Sequence, residues 1–168
     1  MKNLVFVTIF CAIVSTGTAH LCLLSPPQRG SMMGINKEAS ADCGLTSGPC
    51  GSRNASTGTT LAIKEGSKFT VTFQKNLDHY YASNPGYFKI SVSFDEEQTF
   101  KLLYSTKDTP DPSLTLYSMN VTMPFVPLDK PGTLQVAYVT QNPQAPKEFY
   151  QCSDIMLYGA NVKLANFV

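Results

Sequence analysis

Two histidines, His20 and His79, are the only ones in this 168-residue chain, and the position of the first gives it distinctive chemistry. His20 follows Thr16-Gly17-Thr18-Ala19, which comes after an apolar run, Leu4 to Val14, with one basic residue, Lys2, near its start. That is the layout of a secretory signal peptide, and the small residues Gly17 and Ala19 place the cleavage after Ala19. His20 then opens the mature chain. An N-terminal histidine offers its α-amine and Nδ1 at a spacing that chelates one metal ion, and an imidazole from His79 completes a planar three-nitrogen site. Cu(II) suits such borderline donors and stands at the top of the affinity order among divalent first-row metals. The amine must shed a proton to bind, but its ordinary pKa of about 7.7–8.0 makes that cost small near neutral pH. A cut displaced by one residue removes the site. The bland reading is that His79, between Asp78 and Tyr80, is an exposed loop residue and that His20 follows the cleavage site by accident.

The elements that must position these histidines belong to a small secreted domain. Cleavage after Ala19 leaves 149 residues, enough for one domain with a real core. Lys2 is the only charge lost, so 12 basic and 12 acidic residues remain and the mature chain is formally neutral. A weakly charged, neutral chain has no electrostatic footprint for nucleic acid and no basic cluster for anionic lipid. Leu4 to Val14 is too short to span a bilayer with ease, and Ala160 to Val168 lacks the tail of a GPI signal. Cys11 leaves with the leader. Cys22, Cys43, Cys50 and Cys152 remain and, in an oxidising compartment, form two disulfides with three possible connectivities. Their spacing is not the paired C-x-x-C of a zinc site. Asn54-Ala55-Ser56 and Asn120-Val121-Thr122 are N-glycosylation sequons.

From Leu23 to Gly58 the chain is rich in Gly, Pro, Ser and Asn without a sustained period, and reads as a long loop region pinned by its cysteines. After Thr59 the period becomes two. Leu61-Ala62-Ile63 is a short strand, and Phe69, Val71 and Phe73 alternate with Thr70, Thr72 and Gln74. Residues 76–86 form a loop that carries His79 and closes on Asn84-Pro85-Gly86. Further strands are expected at Tyr87 to Phe94, Phe100 to Tyr104, Leu114 to Met123, Leu134 to Thr140 and Phe149 to Leu157. Six or seven short strands with Gly/Pro turns and no helical stripe predict an all-β, immunoglobulin- or fibronectin-III-like antiparallel sandwich, a single domain over residues 20–168.

Four short motifs, in order along the mature chain, carry a resemblance. His20-Leu21-Cys22-Leu23-Leu24-Ser25-Pro26-Pro27-Gln28-Arg29-Gly30 resembles an H-x(5)-P-x-x-R-G opening. Pro49-Cys50-Gly51 resembles P-C-G, and Tyr150-Gln151-Cys152-Ser153-Asp154-Ile155 resembles Y-Q-C-A-D-[VI]. His79, with Pro85-Gly86-Tyr87-Phe88 beyond it, stands where the pattern has its second histidine. The pattern is that of secreted copper-binding proteins related to lytic polysaccharide monooxygenases, best known as fungal copper acquisition factors. The resemblance implies one copper ion in a histidine brace, with His20 giving the amine and Nδ1, His79 an imidazole nitrogen, and Asp154 a carboxylate oxygen. It also favours the pairs Cys50–Cys152 and Cys22–Cys43. Ser52 in place of a second glycine, a longer Ser31 to Ala41 insert, and Cys22 and Cys43 are departures from the fungal pattern.

Three functions compete. The first is a secreted protein that sequesters Cu(II) or delivers it, with a copper transporter or a cell-surface glycan as partner. The second is a copper-dependent monooxygenase acting on chitin or another polysaccharide, in which Tyr80, Tyr81 and Tyr87 supply a stacking surface. The monooxygenases place a Tyr or Phe on the copper axis, which Phe149 or Tyr150 would supply in another strand register. The third is a metal-free structural or adhesion module. Ser-His-Asp hydrolysis has little support, since no serine lies in a G-x-S-x-G turn.

Overall fold

The computed structural model describes residues 20–56, 60–126 and 131–159; the expected leader, 1–19, and the chain end, 160–168, lie outside them. Among the described residues there are eight strands, β1 (His20–Ser25), β2 (Leu61–Lys64), β3 (Lys68–Leu77), β4 (Tyr87–Ser93), β5 (Lys101–Lys107), β6 (Thr115–Thr122), β7 (Pro131–Val139) and β8 (Glu148–Tyr158), with one 3-10 turn at Ala41–Cys43. They form two sheets, β1-β3-β6 and β2-β8-β7-β4-β5. Leu21 and Leu23 of β1, Val71 and Phe73 of β3, Phe88 and Ile90 of β4 and Phe149 and Ile155 of β8 belong to one buried cluster between them. The expected all-β sandwich is therefore present. All described pairings are antiparallel except that β2 runs parallel to β8. Among the described residues no helix is long and apolar enough to cross a membrane.

The alternation in β3 works as its sequence suggests: Val71 and Phe73 enter the core, while Thr70 and Thr72 bond to Asn120 and Ser118 on the outer face of β6. β1 is the element that composition hides. Leu21, Cys22 and Leu23 are all fully buried, so no polar residue marks an outer face. The leucines meet the core, and Cys22 turns the other way into a disulfide with Cys43. The second disulfide joins Cys50 to Cys152. Between these bonds the long loop lies on β8 and β7. Arg29 N donates to Cys152 O, Tyr150 N to Leu45 O, and the side chains of Gln151 and Gln135 donate to Asp42 O and Pro49 O. Asn54 is exposed in this loop, and Asn120 is exposed on β6, where its side chain accepts a hydrogen bond from Thr70.

The inward phase of β3 continues past Phe73 to a lysine. Lys75 is fully buried, and its ammonium donates to Asp78 Oδ1 at 2.8 Å and to Thr109 O at 2.6 Å, and pairs with Asp108 Oδ1 at 2.8 Å. Asp108 is buried too, and its other oxygen accepts the Tyr138 hydroxyl at 2.5 Å. Burial pushes the Lys75 pKa down, but hydrogen bonds to Asp108 and Asp78 and the charge of Asp108 outweigh it, and the net shift is upward. The Tyr138 pKa is raised by burial, and further by its bond to Asp108 and that residue's charge.

Both groups thus keep protons in the folded state that the unfolded chain releases near pH ~10. Their contribution to stability is complete below that pH and is lost as pH rises from there towards the folded-state values. Urea denaturation between pH 9 and 11.5 is expected to show stability falling, and Tyr138→Phe is expected to lower the slope by about one proton. An unchanged slope in Tyr138→Phe would contradict this.

Candidate metal centre

Antiparallel pairing of β1 with β3 sets His20 opposite Leu77, two residues before His79. The first residue of one strand therefore lies beside the loop that leaves the other. His20 is only 3% exposed, and both His20 Nδ1 and His79 Nε2 are withdrawn from solvent. Two walls orient the His20 ring. Phe149, at the start of β8, stacks beside it with centroids 6.5 Å apart and planes at 20°. On the other edge lies Gly44, where an added Cβ would stand 2.6 Å from His20 Nε2 and 2.8 Å from Cδ2. A glycine is required there by proximity, and the contact takes up the Nε2 edge of the ring, away from Nδ1. The Cys22–Cys43 bond, with Cα atoms 4.8 Å apart, fastens the residue two places after His20 to the residue just before Gly44.

The His79 loop is gripped along its backbone. Asp78 N donates to Ser113 Oγ, Tyr80 N to Asp78 Oδ1, and the Asn142 side-chain amide to His79 O. The His79 backbone also hydrogen-bonds the Tyr138 hydroxyl. Tyr138 on β7 is the cross-strand partner of Phe149 on β8, and their rings are 6.5 Å apart. Both histidines thus rest against the same end of the β7–β8 pair. Two buried imidazole nitrogens beside a potential N-terminal amine fit a borderline divalent metal such as copper. Sequence reasoning missed Gly44, Lys75, Asp108 and Tyr138. Of these, Lys75 and Tyr138 were findable, since each continues the inward phase of its strand. Of the three tyrosines near His79, Tyr81 is 39% exposed, Tyr80 is partly buried, and Tyr87 lies with its ring 6.0 Å from the Lys89 ammonium.

Asp154 is not brought to the histidines. Among the described residues no three of His, Cys, Asp and Glu converge as a metal-holding group. Asp154 pairs with Thr133 across β7, five residues along β8 from Phe149, which is about 17 Å of extended strand. Its neighbour Ile155 shares the core side with Phe149, so Asp154 points the opposite way. There Oδ1 accepts from Arg29 Nη2 at 2.7 Å and Nε at 3.1 Å, and Oδ2 accepts from Ser56 N at 2.9 Å. Arg29 is also bound to Glu97 at 2.6 Å and donates to Thr133 Oγ1 and Arg53 O. Burial lowers the Arg29 pKa and its bonds to Asp154 and Glu97 raise it, for a net rise. A cavity of about 640 Å³, lined by Arg53, Glu97 and Asp154, opens at this end. The R-G and C-x-D motifs thus meet in a largely buried ion pair rather than beside the histidines. Tyr150 faces Gly48 and donates to Glu148; burial first, and then that bond and the Glu148 charge, raise its pKa to about 12. Arg29 keeps Glu97 as a partner when Asp154 is neutralised, so the loss is that of hydrogen bonds to a charged group, about 1.5–3 kcal/mol. Asp154→Asn is expected to lose stability of about that size in chemical denaturation while copper affinity stays at the wild-type value. Loss of copper with stability intact would return Asp154 to the metal.

No curated protein is significantly similar to this chain in sequence. Among solved structures, an AA15 lytic polysaccharide monooxygenase from Thermobia domestica, in the Cu(I) state, matches with a TM-score of 0.55 and 16% identity, covering 82% of this chain and 98% of that one. At that identity the match speaks for the fold, a monooxygenase-like sandwich. A monooxygenase from Kitasatospora papulosa matches at TM-score 0.40 and 18% identity over 62% of this chain, which spans about half of it, 54%. The family model described as "Copper acquisition factor BIM1-like" matches residues 18–166, nearly the whole chain. The chain belongs to the BIM1-like copper acquisition factor family.

Proposed function

We propose that the mature chain is a secreted copper-binding protein that holds one Cu(II) in a histidine brace, for sequestration or delivery. His20 gives the α-amine and Nδ1, and His79 gives Nε2. The observation that carries this reading is the burial of His20 Nδ1 and His79 Nε2 at one end of the sandwich, with Gly44 set against the opposite edge of the His20 ring. Family membership supports copper as the metal, and the two disulfides suit an oxidising compartment. Bound copper would supply a redox-active Lewis acid. The protein's part is to keep the two imidazoles at a fixed separation, to keep water from their rings, and to present the amine at the start of an ordered strand.

One observation favours a second reading. Phe149, not a carboxylate, lies beside His20, and an aromatic there is the arrangement expected of an oxidising site. Soluble oxidised oligosaccharides released from chitin with reductant and peroxide would support that reading.

Native mass spectrometry of the secreted protein with and without Cu(II) tests the leading one. The expected species begins at His20 and carries one copper. His20→Ala, His79→Ala and an extra residue placed ahead of His20 should each lose it, whereas Gly44→Ala should retain it with weakened affinity because the ring is displaced. Full affinity in the extended variant would rule out the brace.

A further inference from the structure

The donor set described above is three neutral nitrogens, with no carboxylate among them. A concentration of charge is bonded to the segment that carries His79. Lys75 pairs with both Asp78 and Asp108, and the three carry one formal negative charge in sum. The cluster is linked to the backbone on both sides of His79. Asp78, which precedes it, accepts the Tyr80 amide that follows it, while Tyr138 bridges Asp108 to the His79 backbone. The Lys75 ammonium uses three bonds, to Asp78, Asp108 and Thr109 O, and so has none left to aim at a ligand. Asp108 is itself fixed by donation of its own amide to Gly86 O and by the Thr109 amide on its carboxylate.

We propose that Lys75, Asp108 and Tyr138 are positioning residues of the metal centre: they hold the His79 backbone in its liganding place and set a net negative charge behind it that favours the divalent over the monovalent ion. The inference rests on the copper reading above. A buried charge acts through a low dielectric and is weakly screened, so one negative charge near the centre stabilises the more highly charged ion. Partners of this kind typically alter metal affinity by about ten- to hundredfold when removed.

Tyr138→Phe keeps the ring on Phe88 and deletes only the hydroxyl; Asp108→Asn keeps the shape and deletes one charge. Asp154→Asn, which breaks a buried pair at the far end, is the control for general destabilisation. Three readouts on the mature protein separate the possibilities: amide hydrogen exchange at His79 and Tyr80 without metal, the Cu(II) electron paramagnetic resonance spectrum, and the Cu(II)/Cu(I) reduction potential. Tyr138→Phe should speed exchange at both amides, change the Cu(II) spectrum and weaken Cu(II) binding by about tenfold. Asp108→Asn should raise the potential, and Asp154→Asn should do none of these. Wild-type exchange, spectrum and potential in both variants would overturn the proposal, as would the same changes in Asp154→Asn. A wild-type chain that takes up no copper, yet shows faster His79 exchange in Tyr138→Phe alone, would refute the copper reading and leave the positioning role standing.

Discussion

An ammonium group without water must find acceptors for its protons, and Lys75 finds them only where three separate segments meet. They are the turn after β3, the residues just after β5, and, through Asp108, the end of β7. None of these is close to Lys75 through the sheet ladder alone. A single charged side chain at an inward strand position therefore obliges the loops at one end of the sandwich to close over it. The His79 loop is one of them. An apolar residue at this place would leave the buried Asp108 carboxylate without its cation, and a buried charge without a partner is among the costliest defects a core can hold.

The far end of the same strands is closed by a second charged group built on the same logic. Arg29, in the long loop, reaches Asp154 and Glu97, and Cys50–Cys152 fastens that loop to β8 nearby. β8 thus joins two distinct ends: Phe149 beside the histidines and Asp154 in the ion pair. Their separation explains how a motif residue can serve the architecture at one end of the sheet while the histidines lie at the other.

Much of this was legible in the chain. Alternation in β3 and β4, with the short runs of β7 and β8 between Pro-rich turns, revealed a sandwich, Asn84-Pro85-Gly86 closed the His79 loop, and the motif resemblance pointed to the disulfide pairs that the structure contains. β1 was hidden because burial on both faces erases a period of two. The parallel β2–β8 pair was hidden because four residues carry no sign of strand direction. Asp154 misled for a different reason. A short motif fixes neighbours in sequence, but the face of the strand and the end of the sheet are set by register, and Ile155 beside it already belonged to the core phase. Gly44 left no signal at all, since its role is a contact with a side chain 24 positions earlier.

Chain ends are normally the first part of a domain to fray and the first to be trimmed. A terminus created just ahead of His20 would be an exception. His20 enters the β1–β3 ladder at once, and Cys22, two residues on, is cross-linked to Cys43. An aminopeptidase needs a few loose residues to thread into its cleft, and this strand offers none without first giving up its sheet pairing. The same short, tethered strand that orders the imidazole would shelter such a terminal amine from exopeptidases, so that the first residue would outlast an ordinary loose chain end.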